Sequence, residues 1–275
     1  MNLLLLLLLV LCSLLILWAV QSLLLWLHKE PFALPLRFQT ERLNVRYPMR
    51  LMVNLFWANI IIGYPLLVGP GPVAYFQAAF APAPPWGTMT LMVFLVLAGF
   101  ALGNLSGFLS GGIKVAPRYS TLRTTRKVLG CVLMSVPLAL FEEAVFRGVA
   151  LPALLSALPQ SSFGTVVAIV ISSALFASVH AIRKHRPEKA VIQPAIGLFF
   201  VGITLGTAYV TSGQKLWLPI AMHAAGILGV EIMRPFVVYG RRHPLLVGHR
   251  STPHSSILGI SIMLGLCFLL VLIHR

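Results

Sequence analysis

The chain has 275 residues and only six carboxylates, none of them an aspartate. Two are adjacent, Glu142 and Glu143, within Leu140-Phe141-Glu142-Glu143-Ala144-Val145-Phe146-Arg147-Gly148. A charge at the centre of a membrane helix costs about 2.5–3.5 kcal/mol on insertion scales. Glu142, Glu143 and Arg147 all fall within one apolar run, so their cost points to chemistry. On a helix, Glu143 and Arg147 are i,i+4 neighbours that can pair. Glu142 then points about 100° away, toward a different partner. His180 and His223, each in another apolar run, can supply it. A carboxylate beside imidazoles in a dry cavity can hold a water, take its proton and deliver hydroxide to a carbonyl. One carboxylate and two imidazoles are also a set of ligands that zinc accepts.

Other ionisable residues have plainer readings. Glu231 and Arg234, at i,i+3, read as a structural ion pair. His185, His243, His249 and His254 lie in basic loops and read as solvated. Cys12, Cys131 and Cys267 stand singly in apolar runs without metal-ligand spacing and read as small apolar packers.

Composition dictates the elements that must position these groups. The chain is 58% hydrophobic and 10% charged, with a mean hydropathy of +0.91. A soluble domain carries about 25% charged residues. Runs of about 20 apolar residues recur along the whole length, which predicts an all-α polytopic membrane protein. The spacing predicts eight spans: 2–27, 51–68, 88–110, 128–157, 163–182, 190–210, 216–238 and 256–273. The first lacks a basic leader segment and reads as an uncleaved anchor. Pro65 and Pro137 mark kinks, the latter close to the carboxylates. Residues 73–86 are uncharged and proline-rich, and read as a loop with an interfacial helical piece. Gly99, Gly103, Gly107 and Gly111 form a ridge of four-residue spacing for close helix packing, and Gly202 with Gly206 a second such pair.

Loops after the first, third, fifth and seventh spans are basic; the others hold Lys215 alone. The positive-inside rule then puts both termini on the non-cytoplasmic side. Topology accounts for the net charge of +15. No basic face with interleaved aromatics lies outside the spans, so nucleic acid is not an expected partner. No internal repeat supports a repeat-built transporter. The chain divides into N-terminal helices over 1–120, a motif-bearing core over 121–240, and a basic loop with a last helix over 241–275.

Glu-Glu-x-x-x-Arg at 142–147, Phe-x-x-x-His at 176–180 and a later intramembrane histidine at 223 occur in this order on separate spans. This pattern resembles the CPBP family of intramembrane proteases. That family, also called Abi or CAAX proteases, includes type II CAAX prenyl endopeptidases and bacterial bacteriocin-processing and immunity-type relatives. The resemblance covers residues 125–240. It implies a hydrolase, an endopeptidase that cuts a protein or peptide with a membrane-embedded or lipidated end, in the bilayer and without a cofactor. Glu142 would activate water with His180, His223 would stabilise the oxyanion, and Glu143 with Arg147 would shape the site. Were a metal present, Glu142, His180 and His223 would hold it. The expected location is the plasma (inner) membrane of a bacterium. The pattern departs from the family at Ile227, where Asn or Asp is common four residues after the last histidine. Loss of one oxyanion donor costs about 2.7–4 kcal/mol in well-studied proteases. A non-catalytic immunity or scaffold protein and a proton-coupled transporter are the alternative readings.

Depth poses a conflict for a common site. Counted from Lys127, Glu142 lies about 22 Å along its span at 1.5 Å per residue. His180 is only three residues from the basic loop that starts at Arg183. Bringing them together requires tilted helices, a break near Pro137, or a fifth span that stays helical past Arg183.

Overall fold

The computed structural model describes residues 2–29, 43–82, 84–116, 119–182, 192–240 and 253–274. In chain order the helices are α1 (Asn2–Leu27), α2 (Leu43–Val68), α3 (Gly71–Phe80), α4 (Trp86–Leu109), α5 (Thr121–Val145), α6 (Leu151–Ala157), α7 (Ser162–Ile182), α8 (Ile192–Thr211), α9 (Trp217–Met233) and α10 (Ile257–Ile273). A π-helical segment, Phe146–Ala150, joins α5 to α6 without a break, and a 3-10 turn, Pro253–Ser255, precedes α10. The protein is an all-α, multi-pass membrane protein.

Six of the eight expected spans are helices long and apolar enough to cross a bilayer. The other two, α9 and α10, are apolar helices of 17 residues. They measure about 25 Å at 1.5 Å per residue, short of a hydrocarbon core of about 30 Å. The outward faces suit lipid. Leu4, Leu7, Leu11 and Leu15 of α1 are exposed, as are Leu129, Val132, Leu133 and Val136 of α5. Water would penalise such faces, whereas hydrocarbon does not.

The structure departs from the sequence expectation in several places, among them the start of α5 at Thr121 instead of 128. Residues 43–50, read as part of a basic loop, are the first turns of α2. The seventh span ends at Met233, not 238. Arg234 still has helical dihedrals (φ −54°, ψ −37°), and the β-prone run Val237–Tyr239 beyond it forms a strand, β2. It pairs antiparallel with β1 (Ile113–Val115), setting Ile113 opposite Tyr239 and Val115 opposite Val237. This clasp ties the entry to α5 to the exit from α9. Finally, the departure from α geometry near the carboxylates is the π segment after them; Pro137 lies inside α5.

The close approach expected at glycine holds at Gly99, Gly202 and Gly206, and Gly111 departs from it. A Cβ on Gly202 would lie 2.7 Å from Ser173 Cβ, and one on Gly206 3.0 Å from a methyl of Ile169. Those contacts let α7 and α8 cross closely. Gly99 meets α10 in the same way, its Cβ position 2.9 Å from Ile262. Gly111 is outside the ridge: its φ of +71° makes it the left-handed residue just past the end of α4.

Helices α1 to α4 pack onto the motif-bearing part. α1 and α2 bury Leu6, Leu17, Phe56, Ile60 and Tyr64 in a cluster with Val149 and Ala153. The short α3 is held at its C-terminal carbonyls by the start of α9. Lys215 Nζ donates to Ala78 O at 2.8 Å, Leu216 N to Ala79 O at 3.1 Å, and Trp217 Nε1 to Phe80 O at 2.7 Å.

Candidate active site

The five intramembrane residues singled out by the sequence converge. Glu142 and Glu143 occupy the last turns of α5, His180 the last turn of α7, His223 the middle of α9, and Arg147 the π segment. Glu142 Oε2 lies 3.4 Å from His180 Nε2 and 3.6 Å from His223 Nε2. The depth conflict came from treating Lys127 as the start of a span. The helical run from Thr121 to Ala157 is 37 residues. That is about 55 Å, far more than the hydrocarbon core, so Lys127 does not mark a fixed depth. Residues 183–191, which the third proposed solution needs, lie outside the described residues.

The two carboxylates divide as their helical angles require. Glu143 is fully buried and accepts from Arg147 Nη1 at 2.9 Å. The same oxygen takes His223 Nδ1 at 2.7 Å, a link that the spacing did not reveal. Arg147, also fully buried, donates its second arm, Nη2, to Gly202 O at 3.0 Å. The guanidinium carbon lies 5.0 Å from the centre of the Phe176 ring. Among the described residues, Glu143 Oε2 and Arg147 Nε make no hydrogen bond. An apolar core would be no less stable than an ion pair left partly unsatisfied.

The imidazoles are oriented by what their other nitrogens do. His180 Nδ1 sits 2.9 Å from Phe176 O. A carbonyl only accepts, so this nitrogen carries the proton. His223 Nδ1 faces a carboxylate already paired with Arg147, so it too is a donor. Both rings thus turn Nε2 toward Glu142. Phe176 packs between them, its centroid 4.5 Å from His180 and 5.8 Å from His223. That contact gives Phe176 of the Phe-x-x-x-His pattern a physical role as a spacer.

The π segment has its own support. Tyr75 Oη, on α3, donates to Gly148 O at 2.7 Å, and Phe76 fills the space beside Gly148. Because α3 is held to α9, Tyr75 links the helix of Glu142 to that of His223. Nothing in an uncharged, proline-rich stretch marked Tyr75 as part of the site. Tyr75→Phe removes one hydrogen bond to a carbonyl of the π segment and is expected to cost about 1 kcal/mol. Thermal unfolding of the purified protein in detergent measures it.

A cavity of about 640 Å³ is lined by Glu142, His180 and His223. Its walls are mainly apolar side chains of α4, α5, α8, α9 and α10, and Tyr119, Lys127, Glu231 and Arg234 also line it. Glu231 and Arg234 form the expected i,i+3 ion pair. Ile227 lines the cavity one turn beyond His223. Cys131 does so too, while Cys12 is exposed on α1. His254, read as a solvated loop histidine, instead lines the cavity: the 3-10 turn that carries it packs onto α8. His185, His243 and His249 lie outside the described residues. Among the described residues, no group of three or more His, Cys, Asp or Glu is arranged to hold a metal ion.

No curated protein and no solved structure matches the chain. A protein-family model does match, over residues 124–226: type II CAAX prenyl endopeptidase Rce1-like. The matched stretch contains Glu142, Glu143, Arg147, His180 and His223 and ends just before Ile227. The match bears out the resemblance to CAAX proteases carried by the motifs: the segment spanning residues 124–226 is Rce1-like.

Proposed function

We propose that this protein is an intramembrane endopeptidase that cleaves a protein or peptide near a lipidated or membrane-embedded end by direct attack of water. The observation that carries this reading is the convergence of Glu142 Oε2 with the Nε2 atoms of His180 and His223, within 3.4 and 3.6 Å, in one cavity. With both rings neutral, three acceptor atoms face one another. Protons between acceptors reconcile them, and a water molecule brings two.

Glu142 takes one proton as the water oxygen bonds to the scissile carbonyl carbon. The carbonyl oxygen becomes an oxyanion. His223 can donate to it through Nε2 only when doubly protonated, because its Nδ1 proton is on Glu143. As the C–N bond breaks, the leaving nitrogen receives the proton that Glu142 took from the water. Glu143 and Arg147 hold His223 and the end of α5 in place. No step is routed through a metal. Chelators are expected to leave the cleavage rate unchanged; a loss restored by added zinc would instead assign Glu142, His180 and His223 as metal ligands.

Sidedness follows from charge. Lys127 and Arg234 line the cavity away from Glu142 on their helices, toward the basic connections. Under the positive-inside rule those connections are cytoplasmic, so the substrate end enters from the cytoplasmic face. The reading is tested with purified protein in liposomes and a peptide carrying a farnesylated cysteine near its C-terminus. Cleavage, seen by mass spectrometry, is the expected result. A folded protein that leaves this peptide and acylated peptides intact would refute it.

A further inference from the structure

The cavity follows one face of α5. Lys127, Cys131, Met134, Leu138 and Glu142 line it at three- and four-residue spacing, which keeps them on one side of the helix. Lys127 is the first residue of α5 to line the cavity and Glu142 the last. Glu142 lies about 22 Å further along the helix than Lys127, at 1.5 Å per residue. α9 runs antiparallel beside it: Glu142 faces His223, and the β1–β2 clasp joins the entry to α5 to the exit from α9. Ile227, Val230 and Arg234 carry the cavity wall along α9 in the direction of Lys127.

The charges at Lys127 do not balance. Glu231 and Arg234 neutralise each other. The Lys127 ammonium lies 4.7 Å from the centre of the Tyr119 ring, and the Arg123 guanidinium lies 4.6 Å from the same centre. A ring face attracts a cation through its quadrupole but carries no net charge to offset it. Arg123 and Lys127 are also i,i+4 neighbours of like charge, an arrangement that destabilises a helix. Among the described residues the carboxylates are Glu142, Glu143 and Glu231. The first two belong to the candidate active site and the third to its own pair, so none is left for Arg123 and Lys127. Both cations are exposed, and an anion brought beside them would relieve their repulsion.

A substrate whose end enters from this side keeps its upstream chain over Lys127 while the scissile bond lies at Glu142. An extended chain advances about 3.3 Å per residue, so about six or seven residues cover the distance between them. We propose that Lys127, with Arg123 beside it, selects peptides that carry an acidic residue six or seven positions upstream of the cleaved bond. The proposal rests on the peptidase reading for its substrate class. It is tested with two farnesylated peptides that differ only in having Glu or Lys six positions before the modified cysteine. In liposomes of zwitterionic lipid, the parent protein is expected to prefer the Glu peptide about three- to tenfold in kcat/KM, as attraction at a partly exposed pair gives way to repulsion. The preference should shrink as salt is raised. Lys127→Gln is expected to narrow it and Lys127→Glu to reverse it; a general loss of folded protein lowers both rates and leaves their ratio unchanged. In a second arm, binding of the two peptides is measured in Glu142→Gln protein, with and without Lys127→Glu, and the same order is expected. Equal use and equal binding of the two peptides by the parent sequence would overturn the proposal, as would a preference that Lys127→Glu does not alter. If neither peptide is cleaved yet binding follows their charge through Lys127, the peptidase reading fails and the acidic selectivity stands.

Discussion

Glu142→Gln is expected to lower peptide cleavage by about 10²- to 10⁴-fold, the usual contribution of a positioned general base. The amide matches the carboxylate in size and can still hydrogen-bond to both rings, but it cannot take a proton from water. Glu142 is at the cavity rather than in the ion pair, so its neutralisation leaves Glu143 and Arg147 paired. Yield, insertion and thermal unfolding should therefore match the parent. Steady-state cleavage of the farnesylated peptide measures the first effect, and detergent-solubilised melts the second. Glu142→Ala should be as inactive, since the proton acceptor is gone in both.

Arg147→Met has the largest expected effect on stability, about 3–5 kcal/mol, because it strands a fully buried carboxylate. Arg147 satisfies two partners from different helices, Glu143 on α5 and Gly202 O on α8. Lysine does not replace it, as a single ammonium lacks the planar fork that reaches both. Arg147→Lys should be destabilised less than Arg147→Met, but clearly. The double variant Glu143→Gln/Arg147→Met removes the stranded charge and is expected to recover part of the stability. It should remain inactive, because His223 Nδ1 loses the carboxylate that orients it. Folded yield after membrane extraction and thermal unfolding, with cleavage in parallel, separate the two effects.

The parts of this molecule that could be read from sequence are those with a strong physical signature. Apolar runs of about 20 residues mark helices wherever they occur, and α1, α7 and α8 begin and end within two residues of the expected positions. Charges inside such runs are costly enough to mark a site, which is why Glu142, His180 and His223 could be named before their distances were known. Weaker signatures were lost. The β1–β2 clasp consists of three-residue strands whose pairing partner is more than 100 residues away. The link from Glu143 to His223 was hidden because Arg147 already satisfied Glu143 locally. A π segment leaves no mark in composition, and Tyr75, which supports it, sits in a stretch without charge. His254 looked like its neighbours in a basic loop; only the packing of its turn on Gly197 brings it to the cavity.

The most direct test of water activation by Glu142 is cleavage in ¹⁸O-labelled water, with parent and Glu142→Gln proteins side by side in liposomes and the products weighed by mass spectrometry. The expected result is a new C-terminal carboxylate bearing one solvent oxygen in the parent reaction and no product from Glu142→Gln. The same labelled product at the same rate from both folded proteins would contradict it.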